Sequence, residues 1–338
     1  MSAPHPAKAT DRATLRDVAR LAGVSEISVS RVMRGASNVS LDMRERVVLA
    51  ANTLGYTPNR VAGALKTQQS NQVAVVVPSM SHAVFPEVLD GIESVLSAHG
   101  LCAVLGVTRY DPAHEINVVR ELLSWSPMGM ILTGADADPA IERMVAAQDT
   151  PVVQIMDVEG RHIGASVGIC HRAAGRAAAD ALVDRGFSRP AYVGAWRERP
   201  VRSRLRREAF AGQLAARGAP LLATKIMDAP SSAPVGRAAV AALLEADPTL
   251  DSVFFANDDL AVGGLFHAMA AGLSVPGQLG ILGFNGIPLG EALPIPLTSL
   301  ATPRFAMGAT AARLLVEGKA TAAHRIDLGF SLTAGASI

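Results

Sequence analysis

Cysteine is nearly absent from this chain of 338 residues. Cys102 and Cys170 are its only two, 68 positions apart. They make no disulfide framework, so a reducing cytoplasm is the expected compartment. Long apolar runs are missing as well. "VAVVVP" is of strand length and far short of the roughly 20 residues that span a bilayer, so no membrane partner is expected. The opening "MSAPHPAKATDR" lacks the apolar core of a signal peptide, and residues 1–13 read as a disordered tail. Catalytic signatures are absent too. There is no G-x-x-x-x-G-K-[ST] and no H-E-x-x-H, and "TGADADP" lacks the spacing and glycine of a calcium loop. No catalytic residue, no cofactor and no metal site are expected, and the chain does not read as an enzyme. "CH" at 170–171 brings together a thiol and an imidazole, but no further ligand or base clusters with them.

Net charge is also almost absent, at +1, yet it is unevenly spread. Residues 1–66 hold ten Lys/Arg against five Asp/Glu, a net of +5; the remainder holds 21 against 25, a net of −4. A basic head on a mildly acidic body suits phosphate binding, because neutralised phosphates release condensed counterions. In that head, "LRDVARLA" places Leu15, Val18, Ala19 and Ala22 on one helical face. A Gly-Val-Ser corner follows, and Val29, Val32 and Met33 then recur at helical spacing, with Ser25 as the N-cap. "SLDMRERVVLAANTLGY" gives a third helix, capped by Ser40 and ended by Gly55. Two short helices about a tight turn are either an ordinary helical hairpin or a helix-turn-helix unit, whose second helix enters the DNA major groove. The next stretch, "TPNRVAGALKTQQSNQ", has only Val61, Ala62 and Leu65 as apolar helix positions, with Gly63 in their midst. Two turns are marginal in water, so this is a linker or a segment that folds on a partner.

From Val73 the pattern becomes α/β. Short buried-strand runs alternate with helical stretches, enough for two parallel sheets covered by helices on both faces, with a break near Gly168. Ligands in such folds sit beyond the carboxyl ends of the strands.

Several segments together carry a resemblance: "TLRDVARLAGVSEISVSRVMRG", "LGYTPNRVAGAL", "FPEVLDGIE", "MILTG", "FFANDDLAVGG", "VPGQLGILGFN" and "LTSLATPRFAMGATAARLL". From Thr14 onward the chain resembles the LacI/GalR family of transcriptional regulators. "PSMSHAVFPEVLDGIESVLSAHG" and the ending "IDLGFSLTAGASI" are similar to its gluconate-responsive repressors. The resemblance implies a three-helix helix-turn-helix DNA-binding domain over residues 14–57, and a hinge helix with linker over 58–72. It implies a periplasmic-binding-protein-like core of two doubly wound parallel-sheet subdomains over 73–338. The N-subdomain is expected over about 73–168 and 298–326, the C-subdomain over about 169–297 and 327–338.

On this resemblance Glu26 and Ile27 read base edges, with Arg31 a turn later. Glu can accept from cytosine N4, Ile can meet a thymine methyl, and Arg can bridge guanine O6 and N7 or hold phosphate. Thr14, Ser25, Ser28, Ser30 and Asn38 are candidates for phosphate contact. In the hinge, Leu65 matches the residue that wedges into the minor groove, with Asn59 and Arg60 beside the backbone.

Effector positions carry over as Phe85, Thr133, Asp157, Arg206, Asn257 and Asn285. The last departs from the pattern: sugar-binding members have Asp after "GF", whereas this chain reads "GFNG". A neutral amide does not repel an anion, and a guanidinium suits a carboxylate. Asn285 with Arg206 therefore favours a sugar acid, such as gluconate or a phosphorylated derivative, over a neutral sugar. No leucine heptads follow the last strand, so a homodimer on double-stranded operator DNA is expected. The alternatives are a regulator responding to a neutral sugar and a sugar-binding receptor without DNA binding.

Overall fold

The structure, a computed structural model, describes residues 13–33, 36, 38–57, 70–81, 83–195 and 201–338. Asn59, Arg60 and Leu65 lie outside the described residues. Contacts divide the chain into two compact units, Met1–Ser70 and Asn71–Ile338.

In the first unit, α1 (Leu15–Ala22), α2 (Glu26–Met33) and α3 (Leu41–Leu54) pack around Val18, Val29 and Val47, all fully buried. Thr14 and Asp17 form a reciprocal capping box: the Thr14 hydroxyl accepts from the Asp17 amide, and the Asp17 carboxylate accepts from the Thr14 amide at 3.0 Å. Gly23 ends α1 at φ +65°, a left-handed conformation open to glycine, and this turns the chain sharply into α2.

The second unit holds two six-stranded sheets. β1 (Gln72–Val77), β2 (Cys102–Val107), β3 (Gly129–Thr133), β4 (Val152–Asp157) and β5 (Ala165–Ile169) form the first, with β11 (Arg325–Asp327) at its edge. Its order is β11-β5-β4-β3-β1-β2, all parallel. Helices α4 (Val84–Leu96), α5 (Pro112–Leu123) and α6 (Pro139–Ala147) connect these strands. The second sheet contains β6 (Pro190–Gly194), β7 (Ala223–Ile226), β8 (Ser252–Phe255), β9 (Gly280–Asn285), β10 (Thr298–Ala301) and β12 (Ser331–Leu332). Its order is β12-β10-β9-β8-β6-β7, and only β12 runs antiparallel. Helices α7 (His171–Val183), α8 (Val201–Ala216), α9 (Ala233–Ala246), α10 (Asp258–Ala270) and the short α11 (Pro288–Glu291) accompany it, and α12 (Arg304–Val316) follows β10.

One expected boundary needs correction. Residues 298–301 pair with β9 in the second sheet, so the return to the first subdomain falls after Ala301 and not before Thr298. The cause is α12, which begins at Arg304 and lies against α4. A Cβ on Gly91 would stand 2.1 Å from the Phe305 carbonyl, and one on Gly308 would stand 2.0 Å from that of Val88. Among the described residues, no helix is long and apolar enough to cross a membrane.

Candidate effector cleft and DNA-reading helix

The carboxyl ends of both sheets face a cleft. Four of the six expected effector residues, Phe85, Arg206, Asn257 and Asn285, line one cavity of about 70 Å³. Thr133 and Asp157 line an adjoining cavity of about 340 Å³. The six expected residues thus line two adjoining chambers that share Tyr110 and Arg202.

Arg206 dominates the first chamber. Its α8 helix lies close to α7, because Gly175 brings the two backbones together: a Cβ there would stand 2.2 Å from the Arg206 carbonyl. The side chain is buried, and its Nη2 donates to the Ala256 carbonyl at 2.9 Å and to the Ser203 hydroxyl at 3.2 Å. The guanidinium carbon sits 3.7 Å from the centroid of the Phe284 ring, a stacked cation–π arrangement. Arg206 Nη1 meets His171 Nδ1 at 2.9 Å, and His171 Nε2 meets the Met156 carbonyl at 2.9 Å. Since a guanidinium only donates and a carbonyl only accepts, His171 must carry its proton on Nε2 and accept at Nδ1. Burial first, then the charges of Arg206 and Arg202, hold His171 well below its ordinary value, so the ring is neutral.

The other positions are partly committed to the fold. Asn257 caps α10: its Oδ1 accepts from the Leu260 amide at 3.1 Å, and its Nδ2 donates to Ser231 at 2.7 Å. The Thr133 hydroxyl donates to the Val76 carbonyl at 2.9 Å. Asp157 Oδ1 accepts from the Glu159 amide at 2.8 Å, and burial pushes this carboxyl up to about 6. Asn285 holds φ +113°, rare for a residue with a side chain, and its carbonyl accepts from Arg304 Nη1. Arg304 also donates to the Gly286 carbonyl at 3.1 Å and to Glu87 of α4 at 2.7 Å.

Sequence reasoning missed His171, Tyr110, Phe284 and Arg304, and it did not single out Arg202. The signals were faint. Phe284 adjoins the expected Asn285, His171 stood out only as the imidazole of the Cys-His pair, and Arg202 is four residues before Arg206. Because α8 begins at Val201, Arg202 and Arg206 share a helix face. Arg202 hydrogen-bonds Tyr110, and both line the two chambers.

In the N-terminal unit, Ile27 is 72% exposed. Arg31 and Asn38 are exposed as well. Glu26 is held by Arg16, whose Nε donates to its carboxylate at 3.1 Å. Ser25 accepts from the Ser28 amide at 3.2 Å, and the two hydroxyls lie 2.9 Å apart. Ser30 is half-buried.

Residues 14–59 match the family described as "Bacterial regulatory proteins, lacI family". Residues 70–329 match "Periplasmic binding proteins and sugar binding domain of LacI family". The chain belongs to the LacI family. It is a DNA-binding transcriptional regulator, and as such it works in the cytoplasm. An HTH-type transcriptional regulator GntR from Pseudomonas aeruginosa is 39% identical over 331 residues, covering 97% of this LacI-family chain and 96% of the relative. A LacI-family regulator from Silicibacter pomeroyi has a crystal structure at TM-score 0.88 and 40% identity, covering 96% of this chain and 99% of that one. The lac repressor dimer bound to operator and an anti-inducer is similar at TM-score 0.83 and 25% identity, with 97% and 99% covered.

Proposed function

We propose that this LacI-family regulator is a repressor that binds operator DNA as a homodimer and is released by a sugar acid, with gluconate as the leading effector. One observation carries the effector class. Arg206 is buried at the cleft and oriented by a neutral His171, with the uncharged amides of Asn257 and Asn285 lining the same chamber. A carboxylate there meets a fixed guanidinium and no opposing charge from Asn285, the position that is Asp in sugar-binding members. The resemblance to gluconate-responsive repressors points the same way. Glu26, Ile27 and Arg31 would read base edges, while Thr14, Ser25, Ser28, Ser30, Asn38, Asn59 and Arg60 would hold the backbone and Leu65 would wedge the minor groove.

Calorimetry on the full chain with gluconate, other aldonates and neutral sugars tests the effector. Gluconate is expected to bind, and Asn285→Asp to weaken it by charge repulsion while operator affinity stays unchanged. Tight binding of a neutral sugar with none of any aldonate would establish the neutral-sugar alternative instead. Loss of ligand binding with no operator binding at any salt concentration would overturn the regulator as a whole.

A further inference from the structure

Glu26 opens the DNA-reading helix α2, yet a carboxylate is an awkward group to bring to a polyanion. The structure gives it a counter-charge. Arg16, the second residue of α1, donates from Nε to Glu26 Oε1 at 3.1 Å. An acid also stands beside Arg16 on its own helix, but Asp17 is already engaged. Asp17 accepts from the Thr14 amide at 3.0 Å and the Thr14 hydroxyl at 2.6 Å, and it lies 3.4 Å from Arg20. The Arg16 guanidinium therefore crosses to α2. Both ends of the pair stand on fixed backbone. Thr14 and Asp17 cap α1, Ser25 accepts from the Ser28 amide in the first turn of α2, and Gly23 sets the corner between them. Val18, Ala22 and Val29 are buried beneath.

Folding does not account for this pair. Its side chains are 76% and 51% exposed, and an ion pair that open to water adds little stability. The groups it leaves over are the informative ones. Among the described residues, Glu26 Oε2 and both terminal nitrogens of Arg16 have no partner.

We infer that Arg16 is a positioning residue that sets operator specificity: it cancels the charge of Glu26 and fixes its carboxylate, so that the remaining oxygen accepts from a cytosine N4 amino group. The inference rests on the reading of Glu26 as a base-contacting residue. In a helix-turn-helix the first helix crosses the phosphate backbone while the second lies in the groove. Arg16 stands on the first and Glu26 on the second, so the terminal nitrogens of the guanidinium meet a phosphate while Nε keeps the carboxylate. Without Arg16, Glu26 would bring an uncompensated charge among phosphates and a flexible side chain to be ordered on binding. With it, the pair enters the groove neutral, and its attraction strengthens as water leaves. Thymine and guanine present acceptors but no donor in the major groove, and a fixed carboxylate rejects them.

Competition binding on the full-length chain tests this, with a duplex selected from a library randomised over about two helical turns and with its single-base-pair substitutions. Glu26→Ala identifies the base pair that Glu26 reads, as the position where a preference for C·G disappears. In the wild type that preference is expected at roughly tenfold or more. Arg16→Gln should cut it to a few-fold at the same base pair, leave the preferences at other positions standing, and melt near the wild-type temperature. Added to Glu26→Ala, Arg16→Gln should change the preference no further. A residue that merely held phosphate would lower affinity for every duplex evenly and leave the C·G preference whole, and that result overturns the inference. Loss of all preferences together in a protein that melts early also overturns it, since Arg16 would then be structural. If Glu26→Ala abolishes a preference that Arg16→Gln leaves intact, the inference falls alone. If Glu26→Ala leaves every preference in place, the base-reading role of Glu26 falls and the inference with it.

Discussion

His171 shows what a single residue does in this cleft. Kept neutral by burial and by two neighbouring guanidinium groups, it offers a lone pair to Arg206 and donates its Nε2–H to the Met156 carbonyl of β4. Cys170, the other half of that pair in sequence, does something unrelated. Its sulfur accepts from the Ala173 amide and caps α7, and burial pushes the thiol up, away from thiolate chemistry. The pair is thus a cap and a positioning residue, in keeping with the absence of any base or further ligand around it in the sequence. His171→Leu removes a lone-pair acceptor from a buried guanidinium and is expected to weaken effector binding roughly tenfold, about 1.4 kcal/mol. His171→Gln, which still accepts and donates, should restore much of it; equal losses in both would refute the lone-pair role. Asp157 yields a pH prediction. Its folded value, about 6, lies above the unfolded one, so the folded state binds more protons and stability falls as pH rises from about 4 to above 6. Asp157→Asn should therefore stabilise the fold at pH 8, by on the order of 1–3 kcal/mol and visible as a higher melting temperature, and the gain should shrink towards pH 4. A gain independent of pH would show that the carboxylate charge is not the source.

Elements were legible in this sequence wherever apolar periodicity was strong, and less so at their starts. Several helices of the core begin well before their first buried apolar residue, as α5 does between Pro112 and Val118, because caps, not core residues, set the first turn. Asp111, Cys170, Ser232 and Asn257 each accept from a backbone amide there. Helix α8 likewise starts early, at Val201 and ahead of its first buried residue Leu205, and so brings Arg202 onto the Arg206 face. The boundary at 298 failed for a related reason. "LTSLA" reads equally well as a strand of either sheet, and only pairing with β9 decides. Helix crossings were invisible in advance, since a glycine in a helix pattern signals weakness before it signals contact. Gly175 is such a crossing, with the Arg206 carbonyl where its Cβ would stand. Gly175→Ala must push α8 away from α7, at a cost of roughly 1–3 kcal/mol of stability from overpacking. It should also weaken effector binding, because the displaced segment carries Arg206. A variant that melts earlier but binds the effector with unchanged affinity would separate the crossing from the site.

At the scale of the molecule, regulation requires that the effector cleft and operator binding share one equilibrium. The basic N-terminal unit makes affinity for operator salt-dependent, and a plot of log affinity against log salt should fall linearly as phosphate contacts release counterions. A flat plot would remove the electrostatic account of binding. Coupling to the effector needs a part that both subdomains hold. Arg304 fits this requirement. It rises from α12 beside α4, donates to Glu87 on that side, and reaches the carbonyls of Asn285 and Gly286 on the other. Asn285 thus faces two ways, its side chain lining the effector chamber and its carbonyl bound to Arg304, on a backbone at φ +113° that few side chains tolerate. Closure around an effector that hydrogen-bonds the Asn285 amide would shift this residue against α12 and so transmit occupancy to the neighbouring subdomain. Linkage makes the claim measurable, since the factor by which effector weakens operator binding equals the factor by which operator weakens effector binding. For the wild type this factor is expected at roughly 5–150-fold. Arg304→Gln shortens the side chain and removes its charge, so the factor should drop towards one while effector affinity of the free protein changes only a few-fold. An unchanged factor in a folded Arg304→Gln protein would mean that coupling runs through another contact between the subdomains.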